Sequence, residues 1–387
     1  MSKGQKTIPL YSGLLLILLL ISACTCRVPD SANPLPQIEK GTLVDRSGET
    51  VPRERFLQKA KNAEYILIGE THDNACDHRV QARLIRWLAE SGTRAAVGLE
   101  MVPFTRQKNL EQFNTGNIGV DDLSRALNWE ETWGHPFSLY KPVFRESREA
   151  GYPLYGLNAD PDLLKAVREE GRSALQHFGG KNRTDMFIPP SAEEKEFLDK
   201  AFEQHKQFPP YRDQTKANRE RFFLVQALWD SAMAYRARQL HSRSGATLII
   251  LAGNGHITHG RGITRRLLMR DPSNDILTVT GWRGLEPPDS EQGDLFFFCP
   301  VTYTSRLGFS LKLTPRGGLI YRVEPESRAA LAGMRSGDLL LAAGGEPFRR
   351  LLDLHRAAVR AHEREKPLVL CIQRNSTRKE VGIDISQ

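Results

Sequence analysis

"YILIGETHDNACDH" (Tyr65–His78) is the stretch on which the fold turns. Its first half is apolar and β-branched, the composition of a buried strand. Its second half crowds Glu70, His72, Asp73, Cys76, Asp77 and His78 together. Three other apolar runs end in a similar way. "RAAVGLE" (94–100) closes on Glu100, "YPLYGLNAD" (152–160) on Asn158 and Asp160, and "TLIILAGNGH" (247–256) on Asn254 and His256. In each case the polar residues follow the strand in chain direction. A parallel sheet gathers such residues at its carboxyl edge, where open α/β sheets hold their ligands.

"ILTVTGW" (276–282) and "DLFFFCP" (294–300) add two more expected strands. The stretches between strands carry helical periodicity. "DHRVQARLIRWLAESG" puts Val80, Leu84, Trp87 and Leu88 on one face and stops at Gly92; a later stretch does the same with Phe222, Val225, Trp229, Ala232 and Met233. The fold expected over residues 40–300 is therefore α/β, a mostly parallel sheet covered by helices. The polar insertion from Arg168 to Lys216, with Pro189-Pro190 and Pro209-Pro210, is expected to form a helical cap over one sheet edge.

Singly, each polar residue has a plain structural reading. Glu70 could cap a helix, Asn254 could form a turn, and His256, His135 and His259 could be loop histidines. Cys76, Asp77 and His78 are expected to begin the helix that covers the site. The five cysteines show no CxxC spacing, so the sequence carries no zinc-ribbon or disulfide-scaffold signature. A disulfide among them is left open.

The N-terminus reads as an export signal. Lys3 and Lys6 precede a short apolar run, Leu14–Ile21, about half of what a membrane-spanning helix needs. Ile21-Ser22-Ala23-Cys24 then resembles the bacterial lipobox. That resemblance implies a signal peptide over 1–23, acylation (palmitate) of Cys24 and a flexible tether over 24–39. Thr25 after the cysteine implies the outer membrane. The net charge of +8 is scattered, and its densest basic cluster has no interleaved aromatics, so nucleic acid is not an expected partner.

From about residue 303 short strands alternate with turns, and one helix, "LLDLHRAAVRAHE", interrupts them. Residues 303–387 resemble a PDZ domain. Leu307-Gly308-Phe309 stands at the carboxylate-binding loop, and "FSLKL" offers an edge strand that an extended peptide or a protein C-terminus could join.

The main domain resembles the ChaN family of the Tiki-like superfamily. The resemblance rests on Gly69-Glu70-Thr71-His72-Asp73-Asn74, His78, Gln81, Gly98-Leu99-Glu100-Met101, Asn158 and Gly253-Asn254-Gly255-His256. It departs at Asp77, where a His-His pair is common. The resemblance implies binding of haem or iron and a role in their uptake. Tyr211 or Tyr235 would serve as axial ligand, and Arg212 or Lys216 would meet the propionates. It also implies a second reading, a metal-dependent hydrolase or peptidase. There His72, His256, Glu70 and Glu100 would hold a divalent ion, one glutamate would act as base, and Asn158 and Asn254 would edge the site. A third reading is a PDZ adaptor with a catalytically silent main domain. The sequence does not decide whether two copies share a ligand as a homodimer.

Overall fold

β-branched residues alternate along the central strands so that successive side chains enter opposite cores. Ile66, Ile68, Val97, Leu99, Ile249 and Leu251 face one hydrophobic cluster, while Tyr65, Leu67, Ala96, Leu248 and Ile250 face another. A sheet apolar on both faces must be covered on both, and it is. The computed structural model describes residues 38–177, 186–204 and 215–385. The signal segment, Cys24, nearly all of the tether, Tyr211 and Arg212 lie outside the described residues. No described helix is long and apolar enough to cross a membrane. The chain divides into two compact units: one takes in the described residues through Tyr303 with Leu311–Pro315, the other Thr304–Ser310 with the residues from Arg316 on.

The first part opens with β1 (Leu43–Val44), α1 (Arg53–Ala60), β2 (Tyr65–Glu70), α2 (Ala75–Glu90) and β3 (Ala95–Pro103). Short helices α3 (Gln107–Asn114), α4 (Val120–Leu127) and α5 (Trp129–Thr132) lead to α6 (Phe137–Glu149) and β4 (Leu154–Asn158). Then come α7 (Pro161–Glu170), α8 (Arg172–His177), α9 (Ala192–Gln204) and the long α10 (Lys216–Ser244). β5 (Thr247–Gly253), α11 (Gly262–Arg270), β6 (Ile276–Trp282) and β7 (Leu295–Phe298) complete it. The strand order is β1-β7-β6-β2-β5-β3-β4, parallel throughout except for the antiparallel edge strand β1.

Residues of α2 and α6, among them Val80, Leu84, Val143 and Phe144, cover one face. Met233 and Ala237 of α10, with Ile263 and Leu267 of α11, cover the other. The described part of the insertion is helical, in α8 and α9: Ala174 joins the α7–α10 core, and Phe202 packs on Phe222 and Phe223 at the start of α10.

Cys76 forms a disulfide with Cys299, 223 positions away, which ties the start of α2 to the segment just after β7. The covering helix begins as expected, with Asn74 as its N-cap accepting from the Cys76 N–H.

The C-terminal sheet contains β8 (Thr302–Thr304), β9 (Phe309–Thr314), β10 (Gly317–Val323), β11 (Leu339–Ala343), β12 (Glu346–Pro347), β13 (Leu368–Arg374) and β14 (Thr377–Ile383). Its order is β14-β13-β11-β10-β9-β8, with β12 on β11, and helices α12 (Arg328–Leu331) and α13 (Leu351–Glu363) accompany it.

Candidate functional site

The register of two strands brings the site together. β2 and β5 pair in parallel with Gly69 opposite Ala252 and Glu70 opposite Gly253, so their two Gly-x-x-His turns lie side by side. Both turns need their glycines for close approach. A Cβ on Gly69 would stand 2.2 Å from Asn254 Oδ1, and one on Gly253 would stand 2.8 Å from the His72 ring.

Glu70, the last residue of β2, is buried and surrounded by donors. Its Oε1 accepts from His72 Nδ1 at 2.7 Å and from the Tyr140 hydroxyl at 3.0 Å. Its Oε2 makes an ion-pair contact with His78 Nδ1 at 2.9 Å. Burial opposes the charge on Glu70, but the two imidazoles outweigh it and bring its pKa down to about 2. Burial likewise opposes charge on His72 and His78, and Glu70 outweighs it in both, leaving each pKa above the usual imidazole value. Burial and the Glu70 charge raise the Tyr140 pKa, so the phenol remains a donor.

Beside this cluster sits a second. Glu100, within β3, accepts from the Gly253 N–H at 2.6 Å and lies 3.3 Å from His256 Nε2. The other ring nitrogen of His256 is 2.6 Å from Asp230 Oδ1 of α10. Arg266 of α11, 1% exposed, lies 3.5 Å from Asp230 and 2.8 Å from Glu194 of α9. Glu194 also accepts from the Gly262 N–H. A continuous buried charge chain thus runs from the sheet edge to the cap. Burial opposes charge on His256, and Glu100 and Asp230 overcome it, holding its pKa well above the ordinary value. Asn158 donates to the Glu100 carbonyl at 2.9 Å, fixing that strand end.

His72, His256, Glu70 and Glu100 therefore come together as expected, but not as a metal cage. Among the described residues no group of three or more His, Cys, Asp or Glu is arranged to hold a metal ion. The imidazoles and carboxylates instead contact one another, His72 Nδ1 with Glu70, His256 Nε2 with Glu100 and His256 Nδ1 with Asp230.

Other residues differ from expectation. His78 does more than open α2, since it is buried against Glu70. Asp77, where the family resemblance would favour histidine, is buried, accepts from the Thr71 N–H and pairs with Arg283 at 2.6 Å. His135 is no bystander in its loop: its ring lies 5.1 Å from His72, and Trp133 stands edge-on to His72 at 4.8 Å. Burial and the neighbouring His72 lower the His135 pKa. Asn254 Oδ1 is buried with no hydrogen-bond partner among the described residues.

A cleft of about 240 Å³ opens between the ends of β3 and β4 and the middle of α10. Phe104, Leu163, Met186 and Ala232 give it an apolar lining, and Tyr235, Arg236, Gln239 and Asp160 its polar groups. Tyr235 is half-buried. Arg236 donates to Gln239 at 3.1 Å and lies 5.8 Å from the Phe104 ring, while its Nε is buried with no hydrogen-bond partner among the described residues. Asp160 is occupied in part as the cap of α7. Lys216, exposed at the start of α10, does not line this cleft.

In the C-terminal part, Phe309 is buried and Gly308 adopts φ +88°. A Cβ on Gly308 would stand 2.1 Å from that of Ser327, so only glycine fits there. The Gly308 N–H donates to the Ser305 carbonyl and the Leu307 N–H to the Ser305 hydroxyl, each at 3.1 Å.

A family model described as haem-binding uptake, Tiki superfamily, ChaN matches residues 56–267, and a PDZ-domain model matches residues 305–385. A solved structure on cofacial haem binding to ChaN of Campylobacter jejuni is 20% identical, with a TM-score of 0.55, and covers 67% of this chain and 97% of its own. At that identity the likeness shows a shared fold. A mutant of the erythromycin esterase EreC is 16% identical with a TM-score of 0.37, covering 62% of this chain and 76% of its own. The HtrA3 PDZ domain with a phage-derived ligand is 22% identical with a TM-score of 0.18, covering 22% and 88%. No curated protein matches the chain.

Proposed function

We propose, from the premise that the chain belongs to the ChaN family of haem-binding uptake proteins in the Tiki superfamily, that it binds haem as cargo. It does so as a lipoprotein held on the outer membrane through Cys24, serving haem or iron acquisition, with a PDZ domain that takes extended peptides or protein C-termini. The observation that carries the haem reading is the cleft beside α10. A porphyrin asks for apolar surface, an oxygen or nitrogen ligand for iron, and a cation for its propionates. Phe104, Leu163 and Met186 supply the first, Tyr235 the second, and Arg236, whose Nε has no hydrogen-bond partner among the described residues, the third. The cleft is smaller than the ~300–1,000 Å³ of pockets that enclose a ligand, so it would seat one side of the macrocycle and leave the other open. Tyr211 and Arg212 remain proposed haem contacts outside the described residues.

The test is a haemin titration of Tyr235→Phe and Arg236→Ala proteins followed by absorbance. Tyr235→Phe should move the Soret band and weaken binding about tenfold or more, and Arg236→Ala should weaken it with the band unmoved. Spectra and affinities identical to the parent in both variants would remove haem from this cleft.

One observation favours a second reading, hydrolysis. The Glu70 carboxylate orients His72 through Nδ1, and the His72 ring is partly open to solvent, as a general base requires. Cleavage of ester or peptide substrates that survives chelator and is lost in His72→Ala would support it. No turnover by the parent protein would end it.

A further inference from the structure

β9 is the strand to which a PDZ ligand would add, and it has no free edge. β10 lies on one side and β8 on the other. β8 and β9 form a tight hairpin: Leu313 N–H donates to the Val301 carbonyl and Ser305 N–H to the Phe309 carbonyl. That register sets Tyr303 opposite Leu311, and the segment runs antiparallel to β9 with its C-terminal end at the Leu307-Gly308 loop. An extended peptide bound by its C-terminus would run the same way. At that end Ser305 presents two oxygens, its carbonyl to Gly308 N–H and its hydroxyl to Leu307 N–H. Two carboxylate oxygens would make the same pair of contacts.

Resting on the proposal that the PDZ domain takes peptides, we infer that Val301–Ser305 occupies its peptide edge in cis. An extended peptide with a free C-terminal carboxylate binds by displacing this segment. The segment is built to leave. β8 is three residues long, and Thr302 and Thr304 are exposed while Tyr303 is only half-buried. Beyond backbone pairing it adds the Thr304–Ser310 hydroxyl contact at 3.0 Å. β13 and β14, by contrast, pair over seven residues. The receiving loop does not depend on β8. Ala329 N–H donates to the Leu307 carbonyl and Glu324 N–H to the Gly308 carbonyl, so the loop is held from the body of the domain. Because the segment is covalently attached, its effective concentration is on the order of millimolar, so a segment of ~100 μM intrinsic affinity weakens a free ligand about tenfold.

The experiment uses the full chain and a fluorescein-labelled hexapeptide, PVTYTS, with a free carboxyl terminus, copying Pro300–Ser305. Tyr303→Pro removes a ladder donor from β8. It should bind the peptide about tenfold more tightly than the parent, and less tightly when the peptide ends in carboxamide. Amide exchange guards against misfolding: the Leu313 amide should be protected in the parent and exposed in Tyr303→Pro, with the Ile372 amide protected in both. Equal affinity in parent and variant, or a Leu313 amide unprotected in the parent, overturns the inference. If the parent binds members of a C-terminal peptide array as well as the variant does, cis occupancy falls and peptide binding stands. If neither binds any member, both fall.

Discussion

Glu70 and Glu100 are carboxylates kept charged inside the protein by imidazoles, and this gives the molecule a two-sided pH dependence. The Glu70 pKa lies at about 2 against an ordinary 4.5, so its contribution to stability is complete above 4.5 and drains away as pH falls toward 2. His256 is shifted the other way. Its contribution is complete below its ordinary 6.5 and is lost as pH rises through its higher folded value. Chemical denaturation should therefore find the greatest stability between about pH 4.5 and 6.5. Replacing His256 by Asn should flatten the alkaline side; an alkaline slope identical to the parent's would contradict the account. The residues legible in the sequence were those that follow strands: Glu70, His72, Glu100, Asn158, Asn254 and His256. Their direction from the strand places them at one edge without knowledge of packing. Asp230, Arg266, Glu194 and Tyr140 reach the same place from helices, whose rotation against the sheet no short pattern encodes. A signal existed for Asp230, a charge amid the apolar face of Trp229, Ala232 and Met233.

At the scale of elements, the turn that carries His72 is fastened twice. Arg283 donates to Thr71, Asp77 and the Cys299 carbonyl, and the Cys76–Cys299 disulfide crosses the same place. Replacing both cysteines by alanine should lower stability by about 2–4 kcal/mol, read from the midpoint of urea denaturation. An unchanged midpoint would mean that the Arg283 contacts suffice alone. The strands and their order of appearance were readable from apolar runs ended by Gly or Asn. The pairing of Cys76 with Cys299 was not, because cysteines 223 positions apart meet only once β7 is placed in the sheet. The short edge strand β1 was also missed: at two residues it has no periodicity to read.

At the scale of the whole molecule, the chain joins a ChaN-family domain to a PDZ domain. The same architecture leaves the sheet edge free for polar groups while the cleft beside α10 offers a flatter, apolar surface. Haem suits the second of these better than the first, since a macrocycle needs area more than a ring of paired charges. The central claim is haem binding, and titration of the purified chain starting at Thr25 with haemin tests it most directly. The account predicts a saturable shift of the Soret band with a fixed ratio of haem to protein. A featureless titration, with the spectrum of free haemin throughout, would contradict it.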